Sequence, residues 1–220
     1  MTAGASGVGE TVQTAEVIAI GSELLGSTRL DTNSLYLAER LASLGIELRS
    51  KTVVGDSRRA VAEHLRRALE RADVVILTGG LGPTDDDVTR DALADVLGRP
   101  LIEHPDIVER LVQRFARRGF TIPDVNRRQA LVIEGGVVLE NPNGTAPGQM
   151  VDVGRQLVIL LPGPPRELRP MMDTLVAGPL AARAGSERLF RTTLFTVGRG
   201  ESHVEELVQP VYSKWLQLTP

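Results

Sequence analysis

The chain contains no cysteine. That excludes disulfides, thiol catalysis and cysteine-ligated zinc. Aromatic residues make up only 3% of it, too few to build stacking platforms for nucleotide bases along a strand. Basic charge is not in excess, because 25 Lys and Arg stand against 28 Asp and Glu for a net charge of −3. A protein that coats nucleic acid by charge would be basic, so nucleic acid is not an expected partner. Histidines are only three, His64, His104 and His203, far apart and outside any HExxH arrangement. No apolar run approaches the roughly 18 residues of a membrane span, so no membrane is expected. Residues 1–15 (MTAGASGVGETVQTA) lack the basic start and apolar centre of a signal peptide and read as a disordered tail. The cytoplasm is the expected compartment.

What is present suits a globular protein. The 220 residues are 42% hydrophobic and 24% charged, enough for one medium domain with a small appendage. From Glu16 onward, short apolar β-branched runs alternate with amphipathic segments. Strands are expected at 16–21, 46–55, 72–80, 137–140, 148–153, 155–163 and 188–198. Helices are expected after Asp31-Thr32 and after Ser57, and over 87–98, 105–118, 125–133, 164–176 and 201–218, with a kink at Pro170. Repeated strand–helix–strand order predicts an α/β fold with a mostly parallel sheet and helices on both faces. The domain is expected over 16–180. Residues 187–220 are expected to supply one strand and one helix, the incomplete start of a smaller α/β unit. In the last helix Pro210 interrupts an apolar stripe.

Four clusters carry chemistry, each at an expected strand exit, where open α/β sheets bind ligands. The strongest is Thr78 to Asp87, TGGLGPTDDD. Gly79, Gly80 and Gly82 let backbone N–H groups approach a ligand, Leu81 lies between them, and Thr78 and Thr84 add hydroxyl donors. A helix start behind the loop favours an anion, so the loop is suited to phosphate. Asp85, Asp86 and Asp87 then pose a conflict, because bare carboxylates repel phosphate. A hard divalent cation bridging both resolves it, although acids at a helix N-terminus also stabilise the helix by about 0.3–1 kcal/mol each.

The second cluster, 21–33, offers Ser22, Glu23, Asp31, Thr32 and Asn33 to a ligand, or is a plain turn and helix cap. The third, NPNGTAPG (141–148), is first of all a turn signal. The fourth, PGPPRE (162–167), offers Gly163, an anion-binding Arg166, and Glu167 as a metal ligand or helix cap. The spacing is neither that of the dinucleotide GxGxxG nor that of the triphosphate-binding loop ending in Gly-Lys-Ser/Thr.

Together the clusters resemble the molybdopterin-binding (MogA/MoaB-like) superfamily, in the branch of the competence/damage-inducible CinA proteins. The resemblance rests on TGGLGPTDDDVTRDALA, on Gly21-Ser22-Glu23-Leu24-Leu25 with Asp31-Thr32-Asn33, on Asn141 to Gly148, and on Pro162 to Glu167. Arg128-Gln129-Ala130 and residues 198–202 are also similar. It covers Glu16 to about Trp215. It implies a three-layer α/β/α MogA-like domain and, in that branch, hydrolysis of ADP-ribose to AMP and ribose 5-phosphate with a divalent metal (magnesium, manganese or cobalt), potassium being a further candidate. Asp86, Asp87 and Glu23 become catalytic candidates, the two aspartates as metal ligands. Thr78, Gly79, Gly80, Leu81, Gly82, Thr84, Ser22, Asp31, Asn33, Asn143, Gly144, Thr145, Gly163 and Arg166 become candidates for holding a nucleotide-type substrate. Such proteins self-associate, so a homodimer or homotrimer is expected. Nothing in the chain resembles the nicotinamide mononucleotide deamidase domain that many of these proteins carry. Two positions depart from the pattern: Ser22 where Asp is usual, and Ile133 where proline is common. The alternatives are a molybdopterin-binding or adenylyl-transferring protein of molybdenum cofactor synthesis, and a non-catalytic nucleotide-binding module.

Overall fold

The computed structural model describes residues 11–185 and 192–216. They fall into two units, with the division between Leu189 and Phe190.

In the first unit, strand order and helix order follow the alternating pattern. The elements are β1 (Thr14–Ile20), α1 (Asn33–Ala42), β2 (Glu47–Val54), α2 (Arg58–Leu69), β3 (Val74–Thr78), α3 (Thr89–Leu97), β4 (Leu101–Glu103), α4 (Pro105–Ala116), β5 (Leu131–Ile133), β6 (Val137–Leu139), β7 (Gly148–Val153), β8 (Gln156–Leu161), α5 (Pro165–Ala177) and α6 (Pro179–Arg183). Six strands form one sheet in the order β2-β1-β3-β8-β7-β6. The first four are mutually parallel, and β7 pairs antiparallel with both β8 and β6. β4 and β5 pair separately as a short antiparallel ribbon.

Alternation along the central strands sorts side chains to two faces. Val17, Ile76 and Ile159 pack with Leu37 and Leu41 of α1 and Met172 of α5 on one face. Ile18, Leu77 and Val158 pack with Leu65 of α2 and Leu93 of α3 on the other. The result is the three-layer α/β/α sandwich. A smaller cluster, Ile107, Leu111, Ala130 and Val132, seats α4 against the ribbon.

Local signals account for most boundaries. The Ser57 hydroxyl accepts from the Ala60 N–H at 3.4 Å, and α3 stops at Gly98. Asp31, rather than Thr32, closes the start of α1 by accepting from the Ser34 N–H at 3.0 Å.

Three expectations need correction. The tail does not extend to residue 15, because Val12 is 4% exposed and bridges Ala184, and β1 begins at Thr14. The helix expected over 125–133 is a 3-10 turn over Asp124–Ala130 that leads into β5. A short buried amphipathic stretch satisfies either period, and pairing with β4 decides it. At Ile133 the strand form accommodates the departure from the common proline, with the side chain buried. Helix α5 contains Pro170, the position at which the kink is expected. The strand expected over 188–198 is not formed at 192–198; residues 188–191 lie outside the described residues.

The second unit holds α7 (Glu201–Leu216), with Pro210 inside it. Its described apolar side chains include Leu207 and Val211, both exposed.

Candidate functional site

Because β1, β3 and β8 are adjacent and parallel, their carboxyl ends share one edge. The loops after them are the first, second and fourth clusters of the sequence. β7 runs the other way, so its N-terminal end brings the 141–148 turn to the same edge. This topology gathers residues as far apart as Gly21 and Glu167 in a chain of 220.

Two clefts open there. The larger, about 390 Å³, is lined by Gly21, Glu23, Asp56, Gly79 to Gly82, Asp86, Asp87, Gln129, Thr145, Gly163 and Glu167, among others. The neighbouring one, about 350 Å³, is lined by Leu24, Arg29, Asp31, Asn33, Thr78 and Pro165. Glu23 and Gly163 border both. Asn33 donates to the Gly163 carbonyl at 2.7 Å, while its side-chain oxygen is buried and unpartnered.

The glycine loop is fixed from below. Gly79 and Gly80 take φ of 92° and 62°. A Cβ at Gly79 would strike the Ile20 carbonyl, and one at Gly80 the Thr89 hydroxyl. Only glycine fits both the dihedral angles and the space. The Thr89 hydroxyl donates to the Gly79 carbonyl at 2.7 Å. Arg90, 2% exposed, donates to the carbonyls of Leu81 at 2.7 Å and Gly82 at 2.6 Å. Burial pushes its guanidinium down to about 10, which leaves it charged at neutral pH.

The three aspartates are separated by role. Helix α3 begins at Thr89, later than the expected 87, so Asp87 turns back into the loop. Its carboxylate accepts from the Gly82 N–H at 2.7 Å, the Thr84 N–H at 2.9 Å and the Thr84 hydroxyl at 2.6 Å. Asp85 is fully exposed and pairs with Arg128 at 2.8 Å. Asp86 remains exposed at the cleft. Thr84 beside it and its own backbone N–H hold the Asp86 carboxyl below the usual carboxylate range. The like-charge conflict read from the sequence is thereby reduced: one acid is paired, one is turned inward, and one faces the ligand space.

The structure gathers Glu23, Gly79, Gly80, Leu81, Gly82, Asp86, Asp87, Thr145 and Gly163 around the larger cleft, and Thr78, Asp31 and Asn33 around its neighbour. Five candidates line neither. The Ser22 hydroxyl accepts from the Asp56 N–H at 3.1 Å, and the Ser22 N–H donates to the Asp56 carboxylate at 2.8 Å, so this residue braces the loop on the start of α2's connection. Thr84 braces Asp87, as described. Asn143 donates to the Arg166 carbonyl at 2.8 Å. Gly144 faces a third cavity and lies against Glu167. Arg166 is largely exposed and points no closer to a cleft acid than 3.8 Å from Glu167.

Sequence reasoning gave no site role to Asp56, Gln129, Asn141 or Arg90, and weighed Glu167 without choosing it. Glu167 is 8% exposed and accepts from Asn141 at 2.7 Å. Gln129, also buried, donates to the Thr145 hydroxyl at 3.1 Å. The Gln129 signal was the Arg-Gln-Ala run, which carried the resemblance but no chemistry. For Arg90 no periodicity distinguishes a buried arginine from a solvated one.

Among the described residues, no group of three or more acids or histidines is close enough to form a complete cation cage. A magnesium-like ion is commonly held by one or two carboxylates together with substrate phosphates and water. Asp86, exposed and ionised beside the glycine loop, fits that donor set, whereas Asp87 has most of its lone pairs engaged.

This is a cleft between a glycine loop and acidic side chains on a three-layer α/β/α sandwich. The family model described as "Probable molybdopterin binding domain" matches residues 16–182, and the chain belongs to that family. Within it the chain is 48% identical over 202 residues to a "CinA-like protein" of Solibacter usitatus, covering 91% of this chain and 48% of that one. It is 50% identical over 191 residues to a "Putative competence-damage inducible protein" of Symbiobacterium thermophilum, covering 86% and 45%. The chain spans about half the length of the curated relatives it matches. The crystal structure of the protein CinA of Thermoplasma acidophilum superposes with a TM-score of 0.69 at 32% identity, covering 74% of this chain and 96% of that one. The molybdopterin biosynthesis enzyme MoaB of Thermus thermophilus shares the fold, with a TM-score of 0.51 at 22% identity, covering 77% and 94%. No helix among the described residues is long and apolar enough to cross a membrane.

Proposed function

We propose that this chain hydrolyses the pyrophosphate bond of ADP-ribose, or of a related nucleotide, to AMP and ribose 5-phosphate with a divalent cation. The observation that carries the reading is the larger cleft, where a glycine backbone locked by Arg90 and Thr89 faces the carboxylates of Asp86, Glu23 and Glu167. An uncharged or anionic ligand without a counter-ion would gain little from three acids. A diphosphate carried with a cation suits both walls.

The N–H groups of Gly80 and Leu81 bind and orient the diphosphate, and their fixed geometry provides stabilisation without reorganisation during reaction. Those of Gly79 and Gly82 are given to the Leu161 carbonyl and the Asp87 carboxylate. Asp86 would hold magnesium, manganese or cobalt. That ion supplies charge neutralisation on the phosphate oxygens. Glu23 borders both clefts and is exposed, so it accepts the proton of the attacking water. Asp31 is the poorer base, because its carboxylate is engaged by the Ser34 N–H and hydroxyl. The water oxygen bonds to phosphorus as the anhydride P–O bond breaks. The proton taken by Glu23 returns to solvent. The ribose-bearing half extends into the neighbouring cleft, near Asn33, whose buried side-chain oxygen awaits a donor.

The test is AMP release from ADP-ribose by the purified chain with magnesium, manganese or cobalt, and with EDTA as control. Metal-dependent release supports the reading. Binding without release leaves a nucleotide-binding module instead. The family match over 16–182 favours a second reading, pterin binding, and a titration with molybdopterin against ADP-ribose separates the two.

A further inference from the structure

A cavity on the far side of the Asn141–Pro147 turn is not used by the proposed hydrolysis. Its volume is about 250 Å³. Ile107 and Leu111 of α4, each 3% exposed, and the buried Pro147 form an apolar floor. Arg110 and Arg114 of α4, with Arg117 at the residue that closes it, stand at the rim. Arginines spaced four and three apart on a helix repel, at about 0.2–0.5 kcal/mol per pair. One acid, Glu140, lines the cavity, and it is paired with Arg110. Arg114 reaches only the Pro142 carbonyl, at 3.5 Å. Among the described residues, neither Arg114 nor Arg117 forms an ion pair. Cations near a helix C-terminus complement its dipole, which accounts for their sign but not for the apolar hollow they surround.

We infer that this cavity binds a small phosphomonoester of sugar-phosphate size. Two uncompensated guanidinium forks match the oxygens of a phosphate dianion. The floor takes a short carbon skeleton, and the Thr145 hydroxyl, which accepts from Gln129 and keeps its own proton, offers a hydrogen bond to the skeleton's hydroxyls. The volume lies below the roughly 300–1,000 Å³ of pockets for drug-sized ligands. No aromatic residue lines it, so a base has nothing to stack on. A whole nucleotide is therefore the poorer fit. The inference stands independently of the proposed hydrolysis, since it shares only Thr145 with the larger cleft.

Isothermal titration of the full chain with ribose 5-phosphate, as a compact phosphomonoester, tests it. The expected result is saturable binding that weakens with salt and falls at least tenfold in Arg114→Ala/Arg117→Ala, with partial recovery in Arg114→Lys/Arg117→Lys. Inorganic phosphate should bind more weakly than the ester, because it gains nothing from the floor. Circular dichroism of both variants checks that the helix is retained. Absence of saturable binding to the wild type in the millimolar range overturns the inference. So does unchanged affinity in the alanine variant, which would place the anion elsewhere, or equal affinity for inorganic phosphate, which would remove the organic body.

Discussion

Asn143 donates to the Arg166 carbonyl, at 2.8 Å, that Pro170 leaves without its helical partner. In an α-helix the N–H of residue 170 would bond the carbonyl of residue 166, and proline has no N–H. The side-chain amide from the 141–148 turn supplies the missing donor, so α5 runs on through Pro170. Asn143→Ala should therefore destabilise the fold by about 1 kcal/mol. Pro170→Ala restores a backbone donor to the same carbonyl, so the loss should be smaller in the double variant. Urea unfolding of the two single variants and the double variant measures this coupling; additive losses would remove the role assigned to Asn143.

Asn141 stands two residues before Asn143, and its amide donates to the buried Glu167 carboxylate at 2.7 Å and to the Ala146 carbonyl at 2.8 Å. Removing it leaves a buried carboxylate with one donor fewer. Asn141→Ala is expected to cost about 1–3 kcal/mol, the range for a hydrogen bond to a charged group. Glu167→Ala in the same background should recover part of that cost. A double-mutant cycle by denaturant unfolding reads the coupling directly. No coupling would mean that solvent serves Glu167 as well as Asn141 does.

Arg90 presents a different test, because its two acceptors are loop carbonyls rather than acids. Arg90→Lys keeps the charge but not the fork that spans Leu81 and Gly82. A loss of about 3 kcal/mol is expected. The variant should also weaken ligand binding at the glycine loop before it weakens the overall fold. Hydrogen exchange of the 79–87 amides checks the order, and uniform loss of protection across the sheet would contradict it.

Acid stability should depend on Asp73 at the opposite end of the sheet. Burial raises its carboxyl, but donors from the Gln13 N–H and from the Thr14 hydroxyl and N–H, with the Arg155 charge, outweigh it and hold the group below the usual range. A carboxyl lowered in the folded state contributes stability above its unfolded pKa of about 3.9. That contribution is lost as pH falls through the folded value. Asp73→Asn should cost about 1–3 kcal/mol near neutrality, and the gap to wild type should shrink in that acid range. Urea midpoints measured from neutral to strongly acid pH follow it; a gap independent of pH would remove the linkage.

The sheet and the glycine loop were legible because their signals are local and redundant. Buried runs such as 74–78 and 156–161 can hardly be anything but strands, and glycines at 79 and 80 are fixed by backbone shape. The assignments of Ser22, Asn143 and Arg166 were not legible. For two of them the competing partner is distant in sequence: Asp56 for Ser22, and the gap left by Pro170 for Asn143. A polar residue at a strand exit satisfies a ligand or the backbone equally well, and only the fold decides which. The 3-10 turn at 124–130 was missed for the same reason, since its conformation follows from the ribbon it feeds.

Asp86 and Asp87 were indistinguishable as neighbours in sequence, yet the fold gives them opposite tasks. Asp87 accepts three hydrogen bonds within its loop, whereas Asp86 is exposed to the cleft and ionised. Under the proposed hydrolysis, Asp86→Asn should reduce metal-dependent AMP release by about two orders of magnitude or more, as for removal of a charge-stabilising group. Its melting temperature should stay near wild type, because the side chain is at the surface. Asp87→Asn should do the reverse first, lowering stability by about 1–3 kcal/mol through its lost acceptors. Its effect on turnover then follows from a loosened glycine loop, so it should be partly recovered at lower temperature, while that of Asp86→Asn should not. Paired measurement of melting temperature and metal-dependent turnover separates the two. If both variants lose turnover alike at unchanged stability, Asp87 too serves the cation, and the division of labour between them fails.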